Sequence, residues 1–103
     1  RQDFSGANLH GAILTQGAFS EADFSGADLS DALMDRADFG ATDLSNALLM
    51  DVIASGSSFR KARIQGADFT DALLDREDQR LLCRDADGVN PVTGVATFDS
   101  LGC

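Results

Sequence analysis

The sequence predicts an all-β solenoid: a right-handed, four-sided β-helix of about four coils, closed at its C-terminal end by a short helical cap. Three observations predict it. Large apolar residues recur singly at a period of five, a mostly small residue precedes each of them by two, and the period stops at Leu74. A period of five suits neither the 3.6-residue helix nor the two-residue strand, so the chain turns a corner once in each pentad. Repeats are expected over residues 1–76 and the cap over 77–103.

The large series runs from Phe4, Leu9, Leu14 and Phe19 through to Phe69 and Leu74, and only Ala54 among its members is small. The small series includes Ala7, Ala12, Gly17, Ala22, Thr42, Ser57 and Ala72. Four corners close a square of about 20 residues, and successive coils stack at strand spacing, about 4.8 Å. Large and small residues both point to the centre, and the other three of each pentad face water. One face then stacks Phe19, Phe39 and Phe59. A second carries Leu9, Leu29, Leu49 and Phe69, and a third Leu14, Met34, Ala54 and Leu74. Ala54 is preceded at the small position by Val52, so lost volume is returned beside it. Gly6, Gly11, Gly26, Gly56 and Gly66 share one outward phase, where a corner asks for positive φ.

The pentads Ala22-Asp23-Phe24-Ser25-Gly26, Ala27-Asp28-Leu29-Ser30-Asp31 and Ala67-Asp68-Phe69-Thr70-Asp71 resemble the A(D/N)LXX motif of the pentapeptide-repeat family. The resemblance covers about three-quarters of the chain. It is specific for fold and says little of function, because one fold carries many roles.

Beyond Leu74 the expectation is helical. Asp75 reads as an N-cap, with Glu77 and Asp78 in the first turn. Leu81, Leu82 and Cys83 are the apolar part, Gly88 a stop, and Asn90-Pro91 a turn. Thr97 is expected to cap a second short helix through Leu101. The two cysteines, Cys83 and Cys103, both lie in this tail. A disulfide between them would close a loop of about 21 residues and stabilise by about 3 kcal/mol. The alternative is two unrelated free thiols, and two cysteines with a distant His10 are too few ligands for zinc. The run from Cys83 through Gly88, Asn90, Pro91 and Thr97 to Cys103 resembles the C-terminal cap of the thylakoid-lumen pentapeptide-repeat proteins of plants and cyanobacteria. That resemblance implies two short helices, a Cys83–Cys103 disulfide and a thylakoid-lumen address. It supplies no biochemical activity.

The formal charge is −9, from 17 acidic and 8 basic residues. A phosphate backbone would be repelled, so nucleic-acid binding is not expected. No apolar stretch is long enough to cross a bilayer, so membrane insertion is not expected either. His10 sits in an outward phase with no nucleophile in view, and a packed centre leaves no pocket for paired carboxylates. The expectation is no catalytic residue, no cofactor and no metal. Asp85, Asp87 and Asn90 are spaced faintly like a calcium loop but lack its bidentate glutamate.

The residue just before each large one is mainly Asp or Asn: Asp3, Asn8, Asp23, Asp28, Asp38, Asp43, Asp68. On the third face it is Ile13, Leu33, Ile53 and Leu73, one coil apart. These four form the candidate interaction stripe, for an unknown protein partner or for self-association. The expected function is a non-catalytic protein-interaction or scaffold module. The alternative is a DNA-mimicking inhibitor of a DNA-binding enzyme such as gyrase, as the family includes. About four coils span only about 19 Å, short for such a mimic, and Arg60, Lys61 and Arg63 interrupt the acidic field.

Overall fold

The computed structural model describes residues 2–103. Every backbone bridge from Asp3 to Leu73 is parallel and joins a residue to the one 20 positions later. The columns start at Asp3, Asn8, Ile13 and Ala18, so four bridge positions divide each circuit. The bridging residue is the one just before the large inward side chain. Its neighbour completes the ladder: the Phe4 N–H donates to the Asp23 carbonyl at 2.7 Å, and the Phe24 N–H to the Asp43 carbonyl at 2.8 Å.

A tight turn makes each corner. The Ala7 N–H donates to the Phe4 carbonyl at 3.0 Å and the Ala27 N–H to the Phe24 carbonyl at 3.0 Å, three residues back in each case. The third residue of such a turn is left-handed, which is the type II geometry. Gly26 takes it at φ 68°, yet so do Glu21 at 65°, Arg36 at 51° and Ala41 at 55°. The glycine phase was therefore a sound sign of the corner, and corners without glycine carry the same backbone at a steric cost. At Gly66 a Cβ would lie 2.1 Å from the Asn46 Oδ1, so an exchange there would also have to move that side chain.

The core is the square's centre. Phe24, Leu29, Leu44, Leu49, Phe39 and Phe69 are fully buried. Phe39 stacks on Phe19 at 5.3 Å and on Phe59 at 5.6 Å between ring centroids. A second stack, Phe4 on Phe24 at 5.0 Å, adjoins the first edge-on through Phe19 and Phe24. Polar members of the small series keep their bonds inside: the Thr42 hydroxyl donates to the Phe39 carbonyl at 2.7 Å, and the Ser57 hydroxyl to the Met34 carbonyl. Val52 and Ala54 are both buried, in keeping with their exchanged volumes. In the first circuit Phe4, Leu9, Leu14 and Phe19 are only half-buried. At the other end Leu82 and Leu101 join the buried core.

The tail forms α1 (Arg76–Asp85) and α2 (Thr97–Ser100). Asp75 occupies the N-cap position of α1 without a capping bond, because its carboxylate accepts the Gly56 N–H at 2.9 Å instead. Thr97 is not a cap. Ala96 holds that position, and Thr97 is the buried first residue of α2 with its N–H on the Gly88 carbonyl at 3.0 Å. Gly88 lies past the Ala86 C-cap and packs on Gly66. Cys83 of α1 and Cys103 beyond α2 are joined in a disulfide. Further ties are the Gln79 Nε2 donating to the Leu101 carbonyl at 2.6 Å and the Phe69 N–H donating to the Ser100 Oγ at 2.9 Å.

Reduction is expected to open the α1–α2 contact while the repeats, which hold no cysteine, stay folded. Limited proteolysis with and without reductant checks this. Unchanged cleavage after Leu74 would count against it.

Candidate interaction surface

The Asp and Asn residues before the large positions have a local task. The Asp23 carboxylate accepts the Ser25 N–H at 2.9 Å and the Ser25 hydroxyl at 2.6 Å. Asp43 with Ser45 and Asp68 with Thr70 repeat the pattern. Each side chain caps a backbone donor that the parallel ladder leaves over, an Asx-type closure. Much of the acidic exterior is therefore turn chemistry. Asp68, expected to face water, is buried: its second oxygen accepts the Thr93 hydroxyl at 2.7 Å.

The same contact shifts the carboxyl of Asp28. Burial pushes the Asp28 carboxyl up, and the Ser30 hydroxyl and N–H bonds, with His10 nearby, outweigh it and hold the value below the ordinary one. The Thr15 hydroxyl, 2.8 Å away, is the main cause that lowers Asp35. Burial, then the charges of Asp75 and Glu77, raise Asp78. A lowered folded value means that the unfolded chain takes up protons first as pH falls. Stability from Asp28 and Asp35 is present above the ordinary value of 3.8 and is lost as pH falls through their lower folded values. Asp78 has the opposite sign: its contribution is full below 3.8 and is lost as pH rises through its raised value. The melting difference between the parent and Ser30→Ala is thus expected to shrink as pH falls below 3.8. A difference independent of pH would contradict the assignment.

The third face lacks this capping, since an aliphatic side chain accepts nothing. Ile13 bridges Leu33, Leu33 bridges Ile53, and Ile53 bridges Leu73. Their backbones sit in the ladder, as where the Leu33 N–H donates to the Ala12 carbonyl at 2.9 Å. Their side chains stand in solvent at 76%, 36%, 40% and 56% exposure along the column. The corners on either side carry Asp31, Asp51 and Asp71 on one edge and Asp35 and Asp75 on the other. On the second edge Asp35 is ion-paired with Arg36 at 3.2 Å and Arg76 follows Asp75, so the aliphatic strip has one acidic margin and one of mixed charge.

The remaining polar features stand apart, as the sequence reading of His10 expects. His10 is exposed beside Asp31 at 3.4 Å. Arg63 stands 3.9 Å from Asp43 and is not among the residues of the cleft that Arg60 and Lys61 border. Asp85, Asp87 and Asn90 do not converge on a calcium site: Asp87 accepts the Gly88 N–H at 2.9 Å and Asn90 is buried. Arg60 and Lys61 instead border a cleft of about 300 Å³ with Phe59, Leu81, Asp78 and Arg84. Among the described residues no group of His, Cys, Asp and Glu is placed to hold a metal ion. Among the same residues no helix is long and apolar enough to cross a membrane.

The family profile described as Pentapeptide repeats matches residues 3–40 and 32–76. The chain belongs to the pentapeptide-repeat family. Proteins of this family fold as right-handed quadrilateral β-helices. The crystal structure of a pentapeptide-repeat protein from the Arabidopsis thaliana thylakoid lumen is 40% identical over 99% of this chain and 85% of that one, with a TM-score of 0.65. Rfr23, from the cyanobacterium Cyanothece 51142, is 28% identical over 71% of this chain and 54% of its own, at a TM-score of 0.47. QnrB1, a plasmid-mediated fluoroquinolone resistance protein, is 20% identical over 80% of this chain and 42% of its own, at 0.44. The comparison with curated proteins gives no match.

Proposed function

We propose that this pentapeptide-repeat chain, a β-helix of about four coils with a helical cap over residues 77–103, is a non-catalytic protein-interaction module of the thylakoid lumen. The observation that carries the reading is the exposed stripe Ile13, Leu33, Ile53 and Leu73. Burying each side chain in full would contribute about 1.5–3 kcal/mol. Its acidic edge at Asp31, Asp51 and Asp71 suits a partner protein whose apolar ridge is flanked on that side by lysine or arginine. The lumen address rests on the likeness to the Arabidopsis protein, and the disulfide suits an oxidising compartment. The DNA-mimic alternative has less support, since many of its aspartates are engaged in their own corners.

The test is Leu33→Asp with Ile53→Asp. The double variant is expected to keep its circular dichroism and melting, and to lose both crosslinked partners from lumen extract and binding of a strand peptide alternating leucine with lysine. A folded double variant that keeps both would overturn the stripe. Dissociation of a parent dimer into monomers would reassign it to self-association.

A further inference from the structure

The chain is strongly acidic, yet one side of its cap is not. Arg76, Arg80 and Arg84 are spaced four apart on α1, which puts all three on one helix face. With Cys83, Phe98 and Cys103 they line a shallow groove of about 570 Å³ to which no carboxylate side chain contributes. Arg80 has an ion pair, with Glu77 at 2.5 Å. The pairs found among the described residues include neither Arg76 nor Arg84. Like charges at this spacing repel, while Arg84 in the last turn and the Arg80–Glu77 pair favour the helix. Phe98 stands at the groove half out of water, at 51% exposure, on a helix of four residues. Arg84 also borders the neighbouring cleft, where Arg60 and Lys61 stand with Asp78 and Asp85, so the unopposed positive charge lies at the groove between α1 and α2.

We infer that the groove between α1 and α2 docks an acidic peptide segment of a partner protein, with an aromatic or aliphatic side chain of that segment resting on Phe98. Guanidinium groups supply paired donors for carboxylates, and the exposed ring supplies an apolar contact between them. The occupant is a flexible segment and not a folded acidic surface or an anionic bilayer. Either of those would bring its charge against the rest of a chain of net charge −9, whereas an extended segment meets only the groove. The two walls come from different helices, and the Cys83–Cys103 disulfide ties them. Docking is therefore expected to need the oxidised cap. The site is separate from the stripe and does not depend on it.

The probe is a fluorescent peptide of glutamates around one phenylalanine, followed by anisotropy against the oxidised protein, with a lysine version as control. The expected result is binding of the glutamate peptide alone, weakened by salt. Arg76→Glu with Arg84→Glu is expected to weaken it by about tenfold or more, and Arg36→Glu with Arg63→Glu, an equal charge change elsewhere, by less than about threefold. Phe98→Ser and reduction of the disulfide are each expected to weaken it as well. Should charge reversal disturb the cap, Arg76→Gln with Arg84→Gln removes the charge without reversing it and is expected to weaken binding in the same direction. Equal losses from the two reversal pairs, or equal binding of both peptides, would overturn the inference. So would displacement of the peptide by vesicles of anionic lipid, which would point to a membrane, or loss of peptide binding in Leu33→Asp with Ile53→Asp, which would point to the stripe.

Discussion

Phe39→Asp is expected to leave the chain unfolded, and Phe39→Ala to cost about 3–5 kcal/mol. The Phe39 ring is fully buried, stacked between Phe19 and Phe59 and tilted against Phe24 at 5.8 Å. A carboxylate there would have no cation and no donor, since the surrounding centre is aromatic and aliphatic. Position adds to the cost. A solenoid coil is supported by its two neighbours, and Phe39 lies in the middle of its column, so a defect there parts the repeats on either side. Phe98→Asp is the matched control, because that ring is half exposed. Circular dichroism and thermal melting separate the two. A Phe39→Asp protein that melts near the parent would mean that this column is not the core.

The sequence was most legible where one rule governs each residue. The five-residue period requires a corner per pentad, and the bridges at 20-residue offsets are its direct consequence. The aliphatic stripe was legible for the same reason, since phase alone decides which way Leu33 and Ile53 point. The Asp and Asn phase was visible, but its task was not. That they close corners depends on where the Ser25, Ser45 and Thr70 hydroxyls turn, which no spacing reveals. In the tail the rules compete. Asp75 satisfies the pattern of a helix cap and equally the need of the Gly56 N–H, and the second prevails. Thr97 satisfies the pattern of a cap and is needed as a buried wedge. The arginine face of α1 could have been found from its four-residue spacing, and Phe98 could not, because its nearness to α1 follows from the disulfide.

Asn90 and Pro91 open the expected turn, and the Asn90 side chain, whose burial composition does not show, carries the other large expected effect. Beside Pro91 it reads as a turn residue, yet it is 1% exposed. Its Nδ2 donates to the Gly66 carbonyl at 2.9 Å and the Ala47 carbonyl at 3.2 Å, with the Asn46 carbonyl at 3.4 Å. Its Oδ1 accepts the Val92 N–H at 2.8 Å and the Thr93 N–H at 3.0 Å. One side chain thus supplies donors to the end of the ladder, where no further coil follows on that face, and shapes the loop that brings Thr93 onto Asp68. Asn90→Ala is expected to cost about 2–4 kcal/mol, because buried carbonyls and amides lose partners that water does not replace. Asn90→Asp keeps the shape and is expected to be worse: it turns carboxylate oxygen toward carbonyl oxygen and buries a charge. Melting at neutral pH tests the order, with each kcal/mol worth about 4–8 °C in a chain of this size. Asp above Ala in stability would show that shape rather than the donor pair holds the cap, and amide exchange at Gly66, bonded to the Asp87 carbonyl at 2.9 Å, should quicken in both variants if the loop is what Asn90 secures.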